Sequence, residues 1–291
     1  MDIQVGPNEK LGGFKLGWYS ELSTVERRTF WACFAGFGLD SMDTTIYALV
    51  IPSLMATLGL TQPQAGYLAT AALLGTAVGG WGGGILADSI GRIRVLQLTI
   101  LWVAVFTFLA AFANSFSQLF GIRFLQGLGY GGEAAVGGVL ISEVVRPPLR
   151  GRVAASVQSG YAAGYAVSVA LLPVIGSLFP EQFGWRVLFA IGIVPSVLVM
   201  FIRRLVPESS VYADAQTARK AGAEAAPFWD IFASAHQRRT LAALIMATGI
   251  FGGAYVMITW LPTYLRLTLK LSVTSSAGYL ALNILGSLVG P

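Results

Sequence analysis

Gly84-Ile85-Leu86-Ala87-Asp88-Ser89-Ile90-Gly91-Arg92-Ile93-Arg94 sits between two long apolar runs, and its reading decides the fold. The stretch is too short for a domain. It carries one acid, two arginines and a glycine where the chain must turn. A bilayer core about 30 Å thick takes a helix of about 20 apolar residues, and an apolar run of about that length flanks the stretch on either side. The stretch therefore reads as a tight loop joining two membrane-spanning helices on the basic side of a bilayer.

Composition agrees. Charged residues make up 11% of the chain, against about 25% in soluble proteins, and mean hydropathy is +0.68. Runs able to span lie at about 30–57, 64–87, 95–113, 117–142, 153–178, 185–204 and 239–262, and an eighth begins near Ser276. The first 29 residues are polar and hold Lys10, Lys15, Arg27 and Arg28, so no secretory signal is read there. The single cysteine, Cys33, excludes an internal disulfide, and the single histidine, His236, cannot anchor a metal site alone. Neither a metal nor a cofactor is expected.

The excess of basic residues sorts by side and gives no reason to expect nucleic acid. Taking residues 1–29, the 84–94 loop, its counterpart at 143–152 and the 203–239 stretch as cytoplasmic puts fifteen basic residues there. The opposite side holds only Arg186, Arg266 and Lys270, while Arg123 falls inside a run. By the positive-inside rule the N-terminus is cytoplasmic, with a bacterial inner membrane as the expected location. Segments 1–29 (cytoplasmic), 30–204 (six-helix bundle), 205–238 (cytoplasmic linker) and 239–291 (start of a second bundle) follow. The linker includes Gly222 and Pro227.

Glycines recur every four residues as Gly75, Gly79 and Gly83, with Gly80 and Gly84 beside them, and again as Gly127 and Gly131, and as Gly160 and Gly164. That spacing predicts close helix packing in lipid. Pro52, Pro173 and Pro195 lie within runs and permit kinks.

Few side chains within the runs can carry chemistry. Asp40 and Asp43, spaced i, i+3, share a helix face, and a carboxylate at that depth costs about 2.5–3.5 kcal/mol on insertion scales. Together with Glu133 they are the candidate proton-coupling residues. Arg123 is permanently charged and must meet an anion, either an acid of the first run or the substrate itself. With Gln126 and Tyr255 it forms the candidate set for substrate binding or ion pairing. Glu133 stands ten residues beyond Arg123, about 15 Å along a helix, so direct pairing of the two is not expected. Gly84, Asp88, Gly91, Arg92, Arg94, Glu143 and Arg150 form the candidate gating loop and its charge partners.

The order Gly-x-Leu-Ala-Asp-x-x-Gly-Arg-x-Arg at 84–94 resembles the loop between helices 2 and 3 of major facilitator superfamily transporters. Arg123-x-x-Gln126-Gly127 resembles their helix 4 motif. Leu39-Asp40-Ser41-Met42-Asp43 resembles helix 1 of the aromatic acid:proton symporters, with Ser41 where Gly is usual, and Ser89 stands where Arg or Lys is usual. The resemblance implies an all-α polytopic membrane protein of the major facilitator fold: an N-terminal six-helix bundle, helix 7 and part of helix 8. The family pattern has twelve helices, so the chain is expected to be truncated within the eighth, and its full-length form to be monomeric. The implied function is proton-coupled symport of a small organic acid anion, aromatic acids included, across the plasma membrane. The lipid bilayer, that anion and the proton are the implied partners. A non-transporting sensor or an inactive fragment is the alternative. Gly36-Phe37-Gly38-Leu39-Asp40 allows a remote one, an intramembrane aspartyl protease. The chain lacks P-loop, His-Glu-x-x-His and Gly-x-Ser-x-Gly motifs, and it is expected not to be an enzyme.

Overall fold

A computed structural model describes residues 17–204, 206–221 and 232–289. Lys10, Lys15, Gly222, Pro227 and Pro291 lie outside the described residues. All regular structure among those described is helical: α1 (Gly17–Ser20), α2 (Thr24–Leu58), α3 (Gln62–Ile90), α4 (Arg92–Ala110), α5 (Phe116–Val144), α6 (Pro147–Leu178), α7 (Glu181–Ile191), α8 (Ile193–Arg204), α9 (Ser210–Lys220), α10 (Ser234–Thr263) and α11 (Val273–Val289). A π-helical turn, Tyr264–Thr268, follows α10 directly.

Local sequence sets these bounds. Ser23 and Glu26 close a capping box at the start of α2, and Thr61 and Gln64 close another at α3, so the first free N–H groups are satisfied. Ser115 caps α5, and Pro147 opens α6, where no N–H is needed. The 185–204 run is interrupted at Gly192 between α7 and α8. Pro195 lacks the N–H that would have bonded back across that point. Pro52 and Pro173 instead lie inside continuous helices.

Among the described residues, five helical segments are long and apolar enough to cross a membrane: Thr24–Leu58, Gln62–Ile90, Arg92–Ala110, Pro147–Leu178 and His236–Thr268. α5 has the length but carries Arg123, Gln126 and Glu133 on its buried side. The surface is inverted relative to a protein in water. Leu74, Val78 and Trp81 of α3, Leu98, Leu101 and Val105 of α4, and Leu244, Ile245 and Ile250 of α10 are exposed, whereas Asp43, Arg123, Gln126 and Glu133 are buried.

α2 packs against α6 and α3 against α5, and α4 contacts α5 while α2 contacts α7 and α8. Each contact reappears when α2–α4 are exchanged for α5–α8, which is the pattern a repeat pair related by a two-fold produces. α10 joins this bundle along α2 and α11 along α6. The glycine ladders lie at the two tightest seams. A Cβ on Gly79 would stand 2.0 Å from the Leu128 carbonyl oxygen, one on Gly131 1.9 Å from that of Thr76, and one on Gly164 1.9 Å from that of Gly38. Backbones in such contact exclude any side chain. Gly80 and Gly84 depart from the packing expectation. A Cβ on Gly80 would make ordinary contact at 3.6 Å, and one on Gly84 would meet nothing within 4 Å, although at the neighbouring Gly83 it would fall 2.5 Å from Gly132 Cα.

Candidate functional site

The inner face of α2 meets α4 and α5 at a cluster of polar groups. Asp43 is near the middle of α2 and 5% exposed, and Arg123 on α5 is 2% exposed. Arg123 Nη1 donates to Asp43 Oδ2 at 3.4 Å. Thr107 of α4 donates its hydroxyl to Asp43 Oδ1 at 2.7 Å. Gln126, one turn from Arg123, gives its amide N–H to both carboxylate oxygens at 3.4 and 3.3 Å and to the Thr107 hydroxyl at 2.9 Å. Its carbonyl accepts from Arg123 Nη1 at 3.1 Å. The Tyr47 ring lies 4.2 Å from Arg123 Cζ and is itself held by its hydroxyl bond to the Ala65 carbonyl at 2.7 Å. Three donors thus hold the carboxylate, while the cation rests between a carboxylate, an amide and an aromatic face. Among the described residues, the buried Arg123 Nε has no hydrogen-bond partner.

Asp40 occupies the same face one turn earlier and is half-buried. Both acids line a cleft with Thr107, Ser196 and Gly192. Their surroundings differ. Asp43 meets the guanidinium, whereas Asp40 lies within electrostatic reach of the Tyr161 and Tyr255 hydroxyls, on α6 and α10. Tyr255 therefore groups with Asp40 and stands apart from the Arg123 cluster. Glu133 is buried between α4 and α5, where it accepts from the Thr99 hydroxyl at 3.2 Å.

A second network closes the end that carries residues 84–94. Arg92 binds Glu143 through two nitrogens, at 3.3 and 3.1 Å, and Asp88 at 2.9 Å. Glu208, in the segment after α8, accepts from the backbone N–H groups of Arg92 and Ile93, at 3.0 and 3.2 Å. Its charge thereby sits at the N-terminus of α4, where a helix favours an anion. Gly91 has φ 106°, and a Cβ there would fall 2.4 Å from a Glu208 oxygen. Only glycine serves at that turn. Tyr212 and Gln216 of α9 donate to the Ser89 carbonyl, and Arg219 to that of Asp88. Glu26 repeats the arrangement at α6, accepting from the Arg146 N–H at 3.1 Å and its Nε at 3.0 Å. Arg150 stands apart from the loop and donates to the Val145 carbonyl, Arg94 is exposed, and Gly84 lies outside the network.

Thr107, Tyr47 and Tyr161 were not singled out in the sequence, because one hydroxyl in an apolar run gives no periodic signal. Glu26 gives no signal either, since a carboxylate that caps a distant helix has no local partner to betray it.

Residues 33–291 match the family model described as Major Facilitator Superfamily. A probable 4-methylmuconolactone transporter of Cupriavidus pinatubonensis is 42% identical over 249 residues, covering 86% of this chain and 58% of that protein. The 4-hydroxybenzoate transporter PcaK of Pseudomonas aeruginosa is 30% identical over 270 residues, covering 87% of this chain and 58% of that protein. The chain thus spans less than two thirds of the length of these curated relatives. Among solved structures, a D-xylose-proton symporter superposes with a TM-score of 0.68 at 17% identity, over 91% of this chain and 66% of that one, a likeness of fold.

Proposed function

The chain belongs to the major facilitator superfamily, and from that premise we propose that it is part of a proton-coupled symporter for small organic acids, aromatic carboxylates among them. The observation that carries this reading is the buried guanidinium of Arg123, paired with Asp43 through Nη1 while its buried Nε has no partner among the described residues. A planar fork of this kind receives a carboxylate through two parallel bonds. An arriving substrate anion competes with Asp43 for Arg123, and the aromatic faces of Tyr47, Tyr161 and Tyr255 suit a flat, unsaturated acid. Among the relatives, 4-hydroxybenzoate is such an acid.

The two acids divide the work. Asp43, fixed by Thr107, Gln126 and Arg123, acts as the counter-ion that releases the guanidinium. Asp40, half-buried in the same cleft and facing tyrosines, carries the proton. Glu133 is the reserve site, and the Asp88–Arg92–Glu143–Glu208 network latches the closed end. In a full-length transporter carrying these residues, Asp40→Asn should abolish accumulation against a gradient and leave exchange of preloaded substrate intact, since exchange moves no net proton. Arg123→Lys keeps the charge but loses the fork, so it should raise KM by about tenfold. If Asp40→Asn and Asp43→Asn both concentrate 4-hydroxybenzoate with unchanged pH dependence, the acids are structural and Glu133 becomes the candidate.

The same reading sets the protein in a bacterial inner membrane with the latch end cytoplasmic, as the sorting of basic residues argues. A cysteine introduced at Ala223 should then react with an impermeant maleimide only after the cells are opened. Labelling in intact cells refutes this orientation.

A further inference from the structure

A second cavity, of about 150 Å³, opens at the end of the bundle opposite the latch. Its apolar wall is Val50 on α2, Leu172 and Ile175 on α6 and Leu188 on α7. Three polar side chains also line it, one from each of three elements: Ser53 of α2, Trp185 of α7 and Arg266 of the π-helical turn. Trp185 is 1% exposed, and its buried indole Nε1–H has no hydrogen-bond partner among the described residues. An orphaned buried donor is costly unless something accepts from it. Arg266 rests on a π-helical turn and is followed by Lys270 at φ 53°. π turns of this kind concentrate at functional sites. Ser53 stands ten residues beyond Asp43, about 15 Å along α2. The cavity is therefore distinct from the central cluster and lies between it and the far mouth.

Volume and lining select the ligand. An apolar protein cavity of about 150 Å³ holds one benzene ring. Here the ring-sized apolar wall adjoins a guanidinium, a hydroxyl and an indole N–H, all able to donate. Among the described residues, no acidic side chain lines the cavity. We propose that this cavity is a second binding site for a small planar carboxylate, its ring against Leu172, Ile175 and Leu188 and its carboxylate received by Arg266, Ser53 and Trp185. The choice of carboxylate rests on the transport reading above. Position gives the site a role in loading or release, because a ligand there occupies the far mouth while the central cluster keeps its own ion pair. The walls come from α2, α6 and α7 on one side and from Arg266 and Val273 on the other, so a movement of one bundle against the other opens or closes the site.

Equilibrium dialysis of the purified 291-residue chain in lipid nanodiscs against labelled benzoate tests the proposal. The wild type should bind two equivalents. Arg266→Gln and Trp185→Phe should each weaken one of them by about tenfold or more, the loss expected when a hydrogen bond to a charged group goes. Arg123→Lys should weaken the other. Benzamide, which has the ring without the charge, should not fill the far site. Arg266 sits on a partly exposed turn, so Arg266→Gln serves as the test even if Trp185→Phe fails to fold. The proposal is overturned by two equivalents unaffected in Arg266→Gln, by one equivalent that responds only to Arg123→Lys, by no binding at all, or by benzamide binding as tightly as benzoate. A single equivalent lost in Arg266→Gln and indifferent to Arg123→Lys sustains the far site and defeats the central one.

Discussion

Asp43→Asn should destabilise the bundle by about 3–5 kcal/mol, the loss seen when one partner of a buried ion pair is removed. The reason is the company Arg123 keeps. It is 2% exposed, its one carboxylate partner among the described residues is Asp43, and a guanidinium cannot shed its charge. The Tyr47 face and the Gln126 carbonyl remain after the substitution, but neither carries a full negative charge. Arg123→Gln should cost less. The carboxylate it strands still has the Thr107 hydroxyl and the Gln126 amide as donors, and a carboxylate, unlike a guanidinium, can take up a proton. The double variant Asp43→Asn/Arg123→Gln removes both charges and should recover a large part of the loss. Urea or heat unfolding in detergent, run as a double-mutant cycle, measures the coupling directly. Additive losses, with no recovery in the double variant, contradict the pair as drawn. Conversely, a coupling well above 1 kcal/mol implies that substrate must supply a comparable interaction to separate the two charges.

What could be read from the sequence follows from the range over which each signal acts. Apolar run length is local, so the helices from Thr24–Leu58 to Pro147–Leu178 are legible to within about six residues, the polar first turns of α2 and α6 being what it misses. The third run was drawn to residue 113, whereas α4 ends at Ala110 and residues 111–113 form a turn held by Arg186 from α7. The sixth run read as one helix, because periodicity alone does not locate the break at Gly192. The face shared by Asp40 and Asp43 was legible from i, i+3 spacing, but their different neighbours were not. Spacing says which side chains point together and nothing about what comes to meet them. Arg123 had to find an anion, on energetic grounds alone, yet the choice between Asp43 and a substrate needed the fold. Glu208 illustrates the far limit of that reasoning. It lies 116 positions from the Arg92 N–H it caps, and nothing in its own neighbourhood names that partner.

Gly131→Ala and Gly164→Ala should each cost about 3 kcal/mol or more, at the upper end of what overpacking does, although each adds only one methyl. In both cases the atom in the way is a backbone oxygen, 1.9 Å from the new Cβ, and a backbone cannot change rotamer. The helices must move apart by more than an ångström, and every close contact along the seam goes with them. In lipid this loss has no hydrophobic compensation, since apolar side chains are as well solvated by acyl chains as by each other. Gly121→Ala and Gly84→Ala are the internal controls. Neither Cβ would meet an atom within 4 Å, and both positions lie inside helices, so alanine should be neutral or stabilise by up to about 1 kcal/mol. The contrast separates interhelical contact from glycine's intrinsic effect on a helix, because all four substitutions share the second and only two share the first. Unfolding midpoints of the four variants in one detergent decide the matter. Equal shifts at all four sites would mean that the ladders reflect composition and that the α3–α5 and α2–α6 seams are looser than drawn. The expected split instead makes these seams rigid units. The Arg123 cluster on α5 is then carried as one body with α3, and Asp43 on α2 as one body with α6. The movement that separates the ion pair would in that case run along the α2–α5 contact, where neither ladder lies.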